Sequence, residues 1–172
     1  MVVGWLLADK ECEQLARRLL EQSYKKQGVK PDQLTIHADR GATTKSKSVQ
    51  QLLLTLKVNR SHSRPRVSND NPFSEAAFET MKYSADFPLR FASFEEARKF
   101  AKRYFRWYNH DHHHNGVALL TPAQVHYGEM NDVLVKRDAT LMEIYDADPR
   151  RFKHNCPKNA CQWGVIEMKM GS

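Results

Sequence analysis

The chain lacks any apolar run near the ~20 residues a bilayer-spanning helix needs, which excludes a helical membrane protein. Met1 to Ala8 carries no positive n-region and meets Asp9 too early for a signal peptide, so this stretch is not expected to act as one. Cysteine is scarce. Cys12, Cys156 and Cys161 are the only three, an odd number that cannot all pair internally and that suits a reducing compartment. A cytoplasmic location is the expectation. No internal repeat is visible. From Arg40 to Asn69 acidic residues are missing altogether, while seven basic ones occur: Arg40, Lys45, Lys47, Lys57, Arg60, Arg64 and Arg66.

What is present fits one ordinary core with a tail. The 172 residues (20.0 kDa) are 41% hydrophobic and 27% charged, as in soluble globular proteins. A formal charge of +7 and a pI near 9.4 suit a polyanionic partner, although charge alone is common in proteins that bind no nucleic acid. The acid-free segment says more, because it concentrates positive potential immediately after Asp39. No basic amphipathic helix with an aromatic insertion face accompanies it, so nucleic acid is favoured over a membrane surface.

Apolar periodicity organises the chain. Val2 to Ala8 reads as a buried strand. Cys12, Leu15, Ala16, Leu19 and Leu20 recur at helical spacing, with Gly28 as the stop and Cys12 on the core face. Leu34 to Ala38 reads as a strand, Ser46 to Leu56 as a helix and Val58 to His62 as a short strand. Ser63 to Pro72 is rich in turn formers and reads as an irregular, mobile segment. Glu75 to about Tyr83 is helical, and Phe87 to Phe91 is an extended connector. Ser93-Phe94-Glu95-Glu96 is a capping-box pattern opening a helix whose aromatic stripe (Phe94, Phe100, Tyr104, Phe105, Tyr108) reads as core. Thr121-Pro122 caps a short helix. Another helical pattern runs from Gly128 to about Asp148, followed by a poorly ordered tail.

Asp39 and Glu75 are the pair with chemical content, with thirty-five residues between them. Asp39 ends an apolar strand, and Glu75 opens a helix with Lys82 seven residues on. Two carboxylates so placed can meet around a divalent cation, and magnesium takes few, oxygen-only ligands from protein. Two such ions can activate a nucleophile and stabilise the leaving oxygen of an in-line displacement. A two-metal site of this kind needs a third carboxylate. Taken alone the pair is weak: Asp39 also suits a turn before Gly41, and Glu75 a solvated first-turn carboxylate. Lys82, Arg64 and Arg66 suit phosphate contacts and also plain solvated cations. His110, His112, His113 and His114 suggest zinc only superficially, since adjacent histidines diverge and no cysteine lies near; His154-x-Cys156 with Cys161 lacks a fourth ligand.

The motifs His37-Ala38-Asp39-Arg40-Gly41 and Asn71-Pro72-Phe73-Ser74-Glu75, with Lys82, resemble the catalytic core of insertion-sequence transposases of the retroviral-integrase type, those whose catalytic part is a second-frame product. Trp107-Tyr108-Asn109, His114, Leu120-Thr121-Pro122 and His126-Tyr127-Gly128 resemble that family's downstream motifs, and Ser61 to Asn71 its mobile active-site loop. The resemblance covers Val2 to Phe152. It implies an α/β, ribonuclease-H-like mixed sheet flanked by helices, with residues 1–128 a partial integrase catalytic core and 129–172 a helical extension and tail. It implies that Asp39 and Glu75 are catalytic and hold Mg²⁺ or Mn²⁺. Lys82, Arg64, Arg66, Lys45 and Arg60 would then bind DNA, largely through phosphates.

Three departures follow from the same resemblance. Val2-Val3-Gly4-Trp5 resembles the family's third strand, so its first strands, with the first catalytic aspartate, precede the start of this chain. The arginine expected near His114 is absent, and the cysteine-bearing ending replaces a proline-rich one. A truncated or decayed gene or a misassigned start would produce this pattern. The expected function is DNA transposition, by metal-dependent cutting and joining of transposon ends, with a homo-oligomer in the synapse and no activity from this chain alone. The alternative is a non-catalytic transposase fragment that binds DNA or co-assembles with full-length transposase.

Overall fold

The computed structural model describes residues 1–38, 41, 43–62 and 72–152. It is a mixed α/β structure with six α-helices and a two-stranded parallel sheet among the described residues. Two compact units divide it, one from Val2 to Lys102, the other comprising Arg103 onward together with Met1.

In the first unit, helix α1 (Glu13–Gln27) ends where its sequence predicts. Gly28 adopts φ 59°, a left-handed conformation that lets its N–H reach back to the Lys25 carbonyl at 3.2 Å. Strand β1 (Thr35–Ala38), helix α2 (Lys47–Thr55) and strand β2 (Asn59–His62) follow. Ser46 caps α2 by accepting the Val49 N–H at 3.3 Å. Parallel strands cannot be joined by a tight turn, and α2 lies on the crossover. Its apolar residues build the core: Val49 and Leu53, 2% and 4% exposed, meet Val58, with Ala16, Leu20, Tyr24, Leu34, Ile36 and Leu56 packed around them. Helix α3 (Pro72–Lys82) starts at proline, three residues before Glu75, because the missing N–H costs nothing in a first turn.

Two expectations need correction. Val2 to Ala8 is irregular rather than a strand, since a strand exists only through a paired neighbour, and β1 and β2 pair only with each other among the described residues. Instead the segment lies against α1 so closely that a Cβ on Gly4 would fall 2.2 Å from Ser23 Oγ. Cys12 is half-buried at the N-cap of α1, outside the core. The tail, 153–172, lies outside the described residues.

Helix α4 (Phe94–His110) begins with the anticipated cap in altered form. Ser93 Oγ accepts the Glu96 N–H at 3.1 Å, while the Glu96 carboxylate reaches past Ser93 to the Ala92 N–H at 2.6 Å. Phe100 from this helix closes an aromatic triad with Phe87 and Phe91, all centroid pairs lying 5.4–5.7 Å apart.

The second unit is assembled differently. Helix α5 (Pro122–His126) has a full capping box between Thr121 and Gln124. Helix α6 (Met130–Ala147) supplies Leu134 to the interior, and Leu120 is completely buried. The preceding residues Ala118 and Leu119 are both left-handed, at φ 54° and 55°, a conformation unfavourable for side chains with a Cβ. The Arg137 guanidinium holds them by donating to the Ala118 carbonyl at 2.6 Å and the Leu119 carbonyl at 2.7 Å.

Candidate metal and DNA site

The register places Thr35 opposite Asn59 and Ala38 opposite His62, so the chain leaves both strands at the same, C-terminal edge of the sheet. Open α/β sheets place ligands at that edge. His37 and Ser61 face each other there, with imidazole Nδ1 and hydroxyl 2.7 Å apart. His37 and Ser61 carry no expectation of such a contact from sequence alone, since only the register of the two strands brings them opposite each other.

Glu75 lies in the first turn of α3, where the unsatisfied N–H groups favour a negative charge. Its side chain is exposed, with no hydrogen-bond or ion-pair partner among the described residues. Lys82 is exposed in the last turn of the same helix. Seven residues correspond to about 700° of helical rotation, so Glu75 and Lys82 share a face about 10 Å apart along the axis. Lys45 is exposed in the turn before α2, with its N–H on the Gly41 carbonyl at 3.3 Å. Arg60 is exposed on β2, in register with Ile36. Asp39, Arg64 and Arg66 lie outside the described residues, as does the segment 63–71.

The histidines near the end of α4 have a packing role. The rings of His112 and His114 meet edge to face at 4.4 Å, and both contact the Tyr108 ring. His113 Nδ1 is 2.8 Å from the Leu119 carbonyl. Burial lowers the pKa of His112 and of His114, and the neighbouring imidazoles lower each further. His114 Nε2 is buried without a hydrogen-bond partner among the described residues, consistent with a ring held neutral. Burial also raises Tyr104, to about 12. No group of three or more histidine, cysteine, aspartate or glutamate side chains suited to a metal occurs among the described residues.

Residues 56–122 match the integrase core domain family. The match supports an integrase or transposase catalytic core over this segment, which encloses Glu75, Lys82 and the Leu120-Thr121-Pro122 motif. At the level of that family the associated process is DNA integration or transposition, with DNA as the partner. No curated protein matches the chain. No helix among the described residues is long and apolar enough to cross a membrane.

Proposed function

We propose that this chain carries the metal-dependent core of a DNA transposase, ribonuclease-H-like in fold, with residues 1–128 forming a partial catalytic core and 129–172 an extension. The single observation that carries the reading is the integrase match across 56–122, with Glu75 at an exposed helix start inside it. The donor chemistry fits Mg²⁺ or Mn²⁺: a carboxylate with no competing partner among the described residues, and a second, Asp39, directly following β1 in the chain. Asp39 and Glu75 are the residues that would hold the ions. When bound, such ions activate the attacking oxygen and stabilise the leaving one.

The chain's own residues supply position. Glu75 is set by the first turn of a helix, and Lys82 presents a cation from the same face to a phosphate of the transposon end. Lys45, Arg60, Arg64 and Arg66 steer the backbone toward the sheet edge without reading bases. Synapsis would bring copies of the chain together. Two carboxylates leave such a site one short, and placement of the ions dominates rate, so the 172-residue chain should join no DNA ends by itself.

Manganese titration followed by electron paramagnetic resonance tests the ligand assignment. Binding should weaken about tenfold or more in Asp39→Asn and in Glu75→Gln; equal binding by wild type and both variants sinks it. Robust magnesium-dependent joining of a transposon-end oligonucleotide by the purified chain would instead overturn the claim of inactivity.

A further inference from the structure

Helix α4 carries five basic residues that neither its aromatic core stripe nor the site above uses: Arg98, Lys99, Lys102, Arg103 and Arg106. All five are exposed, while Phe100, Ala101 and Tyr104 on the opposite side of the helix are buried. At about 100° per residue the five fall within an arc of roughly 140°. Between Ala97 and His110 the helix contains no acidic residue. Helix α1 shows the usual alternative, where Glu21 pairs with Lys25 at 2.8 Å. On α4 no ion pair among the described residues engages Lys99, Lys102 or Arg106, and Arg98 rests over the Phe94 ring at 5.2 Å. The helix dipole acts within the first and last turns, where α4 has only His110 as a basic residue, so it accounts for none of the five.

We propose that this face of α4 is a second DNA contact, a phosphate-tracking stripe for the backbone of duplex DNA. The proposal rests on the reading of DNA as the chain's partner, and extends it to residues outside the metal site. Arg98, Lys102 and Arg106 repeat at every fourth residue, about 6 Å of rise each, and span about 12 Å. Over that length one strand of a duplex presents three to four phosphates at about 3.4 Å of axis each. Within the arc of the five cations the helix carries no apolar side chain that could enter a bilayer beside them; Phe94 and Trp107, 40% and 39% exposed, lie outside that arc. Its contacts set affinity and orientation and carry no base specificity.

The test uses the full chain and a labelled duplex, with anisotropy measured across a salt series. Three phosphate contacts contribute about 2.7 to the slope of log K against log salt. The triple variant Arg98→Gln/Lys102→Gln/Arg106→Gln should therefore bind about tenfold or more weakly, with a slope shallower by that amount. Arg98→Lys/Arg106→Lys should bind as wild type. Circular dichroism checks the helix; if the triple variant unfolds, each single glutamine variant should lower the slope by about 0.9. Unchanged affinity and slope overturn the stripe while DNA binding by the chain stands. Absence of duplex binding by wild type overturns both the stripe and the DNA reading, whereas failure of the manganese test alone leaves the stripe standing. Stripe-dependent binding to phosphatidylserine vesicles, with duplex binding unaffected by the substitutions, overturns it in favour of a membrane surface.

Discussion

The two compact units hold their interiors by different means. In residues 2–102 the buried cluster is aliphatic, with Val49, Leu53 and Val58 between a helix and a short parallel sheet, and a separate triad of Phe87, Phe91 and Phe100 is the aromatic part of that unit. The second unit relies on ring stacking from Tyr104 to His114, on one completely buried leucine, and on a left-handed turn pinned by Arg137. Aliphatic contact is non-directional and tolerant of small shifts. A turn of two left-handed non-glycine residues is neither, since each costs about 1–2 kcal/mol unless neighbours fix it. The segment that matches the integrase core domain family, 56–122, runs through parts of both units.

The largest expected effect separates them. Leu120→Ala and Leu53→Ala should each cost about 2–5 kcal/mol, the range for emptying a buried leucine site. Urea denaturation gives the totals, and amide exchange assigns them. Leu120→Ala should strip protection from α5 and α6, and Leu53→Ala from α1, α2 and the strands. If both substitutions lowered protection everywhere equally, the chain would be one cooperative body and the contrast would dissolve.

A smaller effect sharpens the contrast at the turn. Arg137→Ala removes donors from two carbonyls and should destabilise by about 1 kcal/mol, the lower end reflecting solvent access. Combining it with Ala118→Gly and Leu119→Gly should recover part of that loss, because glycine takes the left-handed conformation freely. A double-mutant cycle by urea midpoint measures the coupling; strict additivity would mean that Arg137 does not hold the turn.

Much of this was legible in the sequence. The apolar spacing of Leu15, Leu19, Val49 and Leu53 placed α1 and α2, and Gly28, Ser46 and Thr121 marked helix ends, because caps and periodicity are local signals. The failures are non-local. Nothing within Val2 to Ala8 reveals whether a partner strand adjoins it. Ala118 and Leu119 give no cue for left-handed geometry, whose cause is an arginine on another helix, eighteen or nineteen residues away. For the candidate site, the spacing from Glu75 to Lys82 and the strand before Asp39 were readable, and helix α3 places Glu75 and Lys82 as that spacing required. The basic face of α4 is overlaid in the sequence by the stronger aromatic pattern of the same helix.

The least of these effects is a dependence on pH confined to the aromatic unit. His112 and His114 are lowered in the folded state by burial first and by neighbouring imidazoles second. An unfolded histidine titrates near 6.5. Between that value and the folded pKa the unfolded chain binds more protons, so stability is full above about 6.5 and falls as the pH drops below it. The residues are only partly buried, so solvent screens the penalty and the fall should be modest. Urea midpoints at pH 7.5 and about 5.5 should differ in that direction, and His112→Asn/His114→Asn should flatten the difference. Amide exchange should locate the loss in 103–152 and leave the aliphatic core of α1, α2 and the strands unchanged. A loss of equal size in both places would assign the acid sensitivity to other groups and remove the histidine stack from the account of this unit.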